Sequence, residues 1–95
     1  MNKDFQLANK AYDVETKLLA SNNNNKFNGS FIETESNITI TNKEDAALLG
    51  VEFDNGLELL GANYNKTTGT TVILCQDTNT GEILASCAGT NFYPG

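Results

Sequence analysis

Residues 70–89 read TTVILCQDTNTGEILASCAG, and how this stretch is read decides the fold. Two runs rich in β-branched and aliphatic residues, TTVILCQ (70–76) and EILASCAG (82–89), flank DTNTG, which ends on a glycine where a left-handed residue is needed. That combination predicts a β-hairpin. If Gln76 faces Glu82, Cys75 faces Ile83, Ile73 faces Ala85 and Thr71 faces Cys87. Val72, Leu74 and Leu84 then lie on the opposite face. Both faces are largely apolar in this register, so the expectation is a hairpin inside a sheet covered on two sides. The same register sets Cys75 and Cys87 about four residues apart along the strand, roughly 13 Å and beyond disulfide reach. Both then read as buried, inert core thiols rather than as a redox pair or a nucleophile.

Working outward, residues 57–64, LELLGANY, supply a third strand, with Gly61 a candidate bulge. Asp54-Asn55-Gly56 before it is a hairpin signal, since Asn-Gly accepts positive φ, and VEF (51–53) would be the partner strand. Thr41-Asn42-Lys43-Glu44 has capping-box spacing, predicting a short helix EDAALL that Gly50 closes. Residues 27–41 alternate imperfectly; Ile38 and Ile40 share one face, and an earlier strand around Phe31 makes one or two exposed strands. At the N-terminus, residues 3–20 carry Leu7, Ala11, Val14 and Leu18 at i, i+4, i+7 and i+11, with Phe5, Ala8, Tyr12 and Leu19 widening the stripe. This is an amphipathic helix, with Asn2 as N-cap, Lys17 in the last turn and SNNNN (21–25) ending it. The predicted architecture is one α+β domain over residues 1–95: an N-terminal amphipathic helix packed on a small antiparallel sheet with a C-terminal hairpin, plus a short middle helix.

Composition excludes much chemistry. The 95 residues contain no His and no Arg, so the chain cannot supply the base of a Ser-His-Asp or Cys-His arrangement, a His-containing zinc site, or a bidentate guanidinium clamp. Phosphate-cradling GxGxxG and GxxxxGK patterns are absent, as is the interleaving of basic and aromatic residues that nucleic-acid binding uses. No enzyme, cofactor or metal is expected. The N-terminus lacks an apolar leader and no run is long enough to span a membrane, which with two unpaired cysteines predicts a cytoplasmic protein.

Charge gives the positive signal. Net charge is −6, and all of it lies between Glu33 and Glu58, where Glu33, Glu35, Glu44, Asp45, Glu52, Asp54 and Glu58 face Lys43 alone. The remainder holds five acids and five lysines. Glu52, Asp54 and Glu58 flank one predicted turn and could bind a metal or act as acid and base, but DNGLE lacks the oxygen-ligand rhythm of an EF-hand loop. A solvated acidic face and a docking face for a basic partner are the other readings.

Ala11-Tyr12, TTVILCQ, DTNTGEILAS and Cys87-Ala88-Gly89-Thr90-Asn91 together resemble the N-terminal region of lipase-like α/β hydrolases, where an "AY" helix precedes two strands joined by a D-T-G-E turn. Ala88 stands where that family carries Arg before Gly-Thr. The resemblance implies a piece of that fold without its GxSxG nucleophile elbow, acid or His. In size and charge the chain resembles small phage inhibitors such as anti-CRISPR proteins. The expected function is therefore a non-catalytic acidic protein that docks, through the seven middle acids, on a basic and nucleic-acid-binding surface of a larger protein and inhibits it. The alternatives are an inactive hydrolase fragment and a structural protein that self-associates into a homodimer through its strand edges.

Overall fold

The computed structural model describes residues 3–24, 32–54 and 56–89. Helix α1 spans Lys3–Asn24, followed by strands β1 (Ile32–Glu33) and β2 (Asn37–Ile40), helix α2 (Lys43–Ala47), and strands β3 (Leu57–Asn65), β4 (Thr70–Asp77) and β5 (Ile83–Gly89). The five strands are antiparallel and neighbour one another in chain order, β1-β2-β3-β4-β5. The architecture is the α+β one expected: an N-terminal helix on a five-stranded antiparallel sheet, plus a short middle helix.

The helical stripe is the predicted one. Leu7, Ala11, Val14 and Leu18 are all buried, and α1 lies mainly over β4 and β5. Burying four such side chains contributes roughly 1–3 kcal/mol each, enough to hold a helix whose polar residues would not sustain it alone. Two expectations for α1 need correction. It runs through Ser21 to Asn24 rather than stopping at 20, because asparagine inside a nucleated helix costs only about 0.7 kcal/mol relative to alanine. Lys17 therefore does not lie in the last turn. Tyr12 is exposed and does not widen the stripe. Asn2, Asn25, Phe31 and the side chain of Phe5 lie outside the described residues.

Beneath α1 the core face of the sheet carries Ile38 and Ile40 of β2, Leu57, Leu59 and Ala62 of β3, Ile73 and Cys75 of β4 and Ala88 of β5; Ala46 and Leu49 close it from the α2 side. Gly61 makes the predicted bulge, where the β3–β4 register shifts between Leu59 and Gly61. A Cβ there would meet the Ile40 carbonyl oxygen at 2.8 Å, so the strands approach each other only because position 61 has no side chain.

The C-terminal hairpin forms, with its register one residue from the expected one. Gln76 pairs with Ile83, Cys75 with Leu84 and Val72 with Cys87. The cause is Asp77, which belongs to β4: its N–H donates to the Glu82 carbonyl at 2.9 Å, leaving a four-residue loop. Its buried carboxylate accepts from the Asn79 N–H at 2.9 Å, and Gly81, at φ +82°, donates to the Asp77 carbonyl. A shift of one residue moves every β5 side chain to the other face. Leu84 and Ala88 thus face the core, while Ile83, Ala85 and Cys87 join Val72 and Leu74 on the face away from α1.

Four further expectations are corrected. Among the described residues the sheet is covered on one side, and Val72, Leu74 and Ile83 are 44%, 42% and 51% exposed. Cys75 is buried but Cys87 is exposed, so the two thiols are separated by the sheet itself. Residues 51–53 form no strand and no hairpin with β3; Val51 and Phe53 instead pack against the core as an irregular segment. The cap of α2 is displaced by one residue from Thr41/Glu44. Asn42 Oδ1 accepts from the Asp45 N–H at 2.9 Å, and Asn42 Nδ2 donates to Asp45 Oδ2 at 3.0 Å. Asparagine at an N-cap is at least as effective as threonine, so it takes the position.

Candidate functional site

The seven middle acids fall into two groups. Glu33 lies on β1 and Glu35 in the β1–β2 turn, at the end of the sheet where Asn37 pairs with Asn65. Glu58 lies near the other end of β3, seven residues along that strand from Asn65 and hence about 20 Å away. The two ends do not form one patch.

The first group is partly neutralised and tied into the fold. Lys66 Nζ reaches Glu33 Oε2 at 2.6 Å and also donates to the Thr34 carbonyl at 3.0 Å. Thr34 Oγ1 accepts from the Asn37 N–H at 3.1 Å, which fixes the turn carrying exposed Glu35. An exposed pair of this kind contributes about 0.2–1 kcal/mol, and its main effect here is to remove one negative charge from that end.

The second group, Glu44, Asp45, Glu52, Asp54 and Glu58, is gathered by α2 and the segment leading into β3. Glu44 and Asp45 occupy the first turn of α2, where carboxylates favour the positive end of the peptide dipoles. Asp45 is engaged by Asn42; Glu44 is exposed. Residues 50–53 then run against α1. Gly50 takes φ +74° to leave α2, Phe53 is half-buried, and Lys10 Nζ stands 5.9 Å from the centre of its ring. Glu52 shares a groove with Lys10, Asp13 and Lys17 of α1. Asp54 is exposed at the turn where its carbonyl accepts from the Leu57 N–H. Glu58 is half-buried, beside Gln76 on the face away from α1. From Lys43 to Glu58 five carboxylates oppose one lysine.

This arc presents five carboxylates along the α2 side and the start of β3. Among the described residues, no three or more His, Cys, Asp or Glu side chains are grouped to hold a metal ion. Burial pushes the Cys75 thiol up to about 12, which leaves it protonated at neutral pH and non-nucleophilic. Burial also raises the Glu15 carboxyl on α1 above its ordinary value. Among the described residues no helix is long and apolar enough to cross a membrane.

A feature that the sequence reading missed lies across the sheet from α1. Ile32, Thr39, Asn63, Val72 and Cys87 form one continuous row over all five strands, and Gly61, Leu74 and Ala85 form the next. The signal was present: the sequence has one long amphipathic helix, enough to cover one face of the sheet. Neither the family models, the curated proteins nor the solved structures compared with this chain include a match.

Proposed function

We propose that the chain is a non-catalytic acidic binding protein, cytoplasmic, that docks on a basic, nucleic-acid-handling surface of a larger protein and inhibits it. The observation that supports this reading is the arc from α2 to the start of β3, where Glu44, Asp45, Glu52, Asp54 and Glu58 stand on a turn-rich edge held to the core by Leu49, Val51 and Phe53. Carboxylates spaced along a rigid edge can occupy the places that phosphates take on a Lys/Arg-lined surface, each gaining a charge-assisted hydrogen bond. Glu33 and Glu35, at the far end and partly offset by Lys66, are secondary to it.

The size and charge that resemble small phage inhibitors point the same way, and direct binding of nucleic acid is disfavoured by net −6. The test is capture from a bacterial lysate on the immobilised protein, eluted by a rising salt gradient and identified by mass spectrometry. The reading expects a basic, nucleic-acid-handling protein that the Glu44→Lys/Asp54→Lys/Glu58→Lys variant fails to retain. Capture of no such protein, or equal capture by the variant, would refute it.

A further inference from the structure

The face of the sheet opposite α1 is a built surface rather than scattered apolar exposure. Ile32, Val72, Leu74 and Ile83 are between 42% and 54% exposed, with Ala85 and Cys87 exposed beside them. The molecule is only 16 Å through its thinnest direction, two layers thick, so nothing of the described chain covers this side. Gly61 presents no side chain next to Leu74, and a hollow of about 440 Å³ opens there, bordered by Thr39, Asn63, Val72 and Leu74.

Two observations identify the occupant. The first is charge. In a chain of net −6 the rows Ile32–Thr39–Asn63–Val72–Cys87 and Gly61–Leu74–Ala85 carry no Asp, Glu or Lys, and the one carboxylate on this face, Glu58, lies at its end in the row Glu58–Gln76–Ile83. A basic partner has nothing to pair with in the first two rows, whereas a second copy brings equally uncharged ones. The second is polar satisfaction. Thr39 Oγ1 donates to Asn63 Oδ1 at 2.8 Å, and Asn63 Nδ2 donates to Asn37 Oδ1 at 3.2 Å. The polar side chains in the middle of this face bond to each other, so burying them leaves few donors stranded.

We propose that this face is a homodimer interface, with two copies stacking sheet on sheet about a two-fold axis to form a sandwich with one helix on each outer side. Sheets pack about 10 Å apart, and Leu74 of each copy is the knob for the hollow at Gly61 of the other. With strands about 4.8 Å apart and 3.3 Å per residue, the face measures roughly 500–600 Å² per copy, or about 1,000–1,200 Å² in total. That is the lower limit for a specific interface, so the dimer is weak and concentration-dependent. It is distinct from edge-to-edge strand pairing, and of the acidic arc only Glu58 lies on this face, at its end beside Gln76.

Cys87 provides the reporter, because it is exposed in the monomer and cross-strand from Val72. The experiment combines sedimentation velocity over a concentration series with the rate of Cys87 alkylation by iodoacetamide on a Cys75→Ala background. Expected is a monomer–dimer equilibrium that added salt leaves unchanged or tightens, since no attractive charges cross the interface. Alkylation should slow roughly tenfold when about nine-tenths of the chain is dimeric, because only monomer reacts. Leu74→Lys and, separately, Val72→Lys should keep the native circular dichroism, stay monomeric and remove the protection. A monomer at millimolar concentration would overturn the proposal. So would a dimer that leaves Cys87 reactive and survives Leu74→Lys, which would assign the contact to the β5 edge. Capture of a different protein that is lost in Leu74→Lys but kept in Glu44→Lys/Asp54→Lys/Glu58→Lys would also overturn it.

Discussion

Gly61 sits where the β3–β4 register shifts and where β2 passes close to β3. Its conformation is not left-handed; its requirement is space, because the Ile40 carbonyl oxygen stands 2.8 Å from where a Cβ would be. Backbone cannot retreat as a flexible side chain can, so Gly61→Ala should cost about 1–3 kcal/mol in urea unfolding. Gly50→Ala is the informative comparison: nothing lies within 4 Å of its Cβ, and the loss, roughly 1 kcal/mol, comes from φ +74° alone. Equal and negligible effects at both positions would contradict the bulge geometry. The two cysteines separate just as clearly. One thiol should react with a disulfide reagent in the native protein and two after denaturation. Cys75 ionises near 9.0 when unfolded but only at about 12 when folded, so above pH 9 the unfolded state releases a proton that the native state keeps. Stability contributed by this thiol is fully present below pH 9 and is lost as pH rises toward 12. Cys75→Ala should flatten that part of the pH profile.

At the scale of elements, α2 is five residues long and depends on its cap. Asn42→Ala should cost about 1 kcal/mol, whereas Thr41→Ala should change little; the reverse result would restore the displaced capping box. The sequence signals that succeeded were those with one physical solution. Leu7, Ala11, Val14 and Leu18 are buried because their spacing admits a single helical stripe, and Gly61 is a bulge because a strand offers a glycine few other uses. The register of β4 and β5 was not legible, because Val72, Ile73 and Leu74 are all apolar and either alignment buries one of them. Asp77, whose carboxylate folds back onto the Asn79 N–H, decided it, and a polar residue at a strand end does not advertise that role. VEF looked like a strand because it preceded Asp54-Asn55-Gly56, yet Val51 and Phe53 gain more by closing the core beside α1 than by pairing with β3.

Over the whole molecule, charge and apolar surface are segregated. The acidic arc occupies the α2 side apart from Glu58, which lies at one end of the back of the sheet; the uncharged rows fill the rest of that back, and α1 with Lys10 and Lys17 lies on the opposite side. All seven acids were visible in the sequence as one run, but the fold sends Glu33 and Glu35 to one end of β3 and Glu44, Asp45, Glu52, Asp54 and Glu58 toward the other; separation along the chain said nothing about that division. Reversing charge at Glu33 and Glu35 should therefore weaken docking much less than reversing it at Glu44, Asp54 and Glu58. Exposed charges act over about 8 Å at physiological ionic strength, so the arc contributes at contact rather than at long range. The most direct measurement of the central proposal is the affinity of the protein for its captured basic partner across a salt series, alongside Glu44→Lys/Asp54→Lys/Glu58→Lys. Affinity should fall steeply as salt rises, and the variant should bind at least tenfold more weakly with a shallower salt dependence. Affinity indifferent to both salt and charge reversal would contradict it.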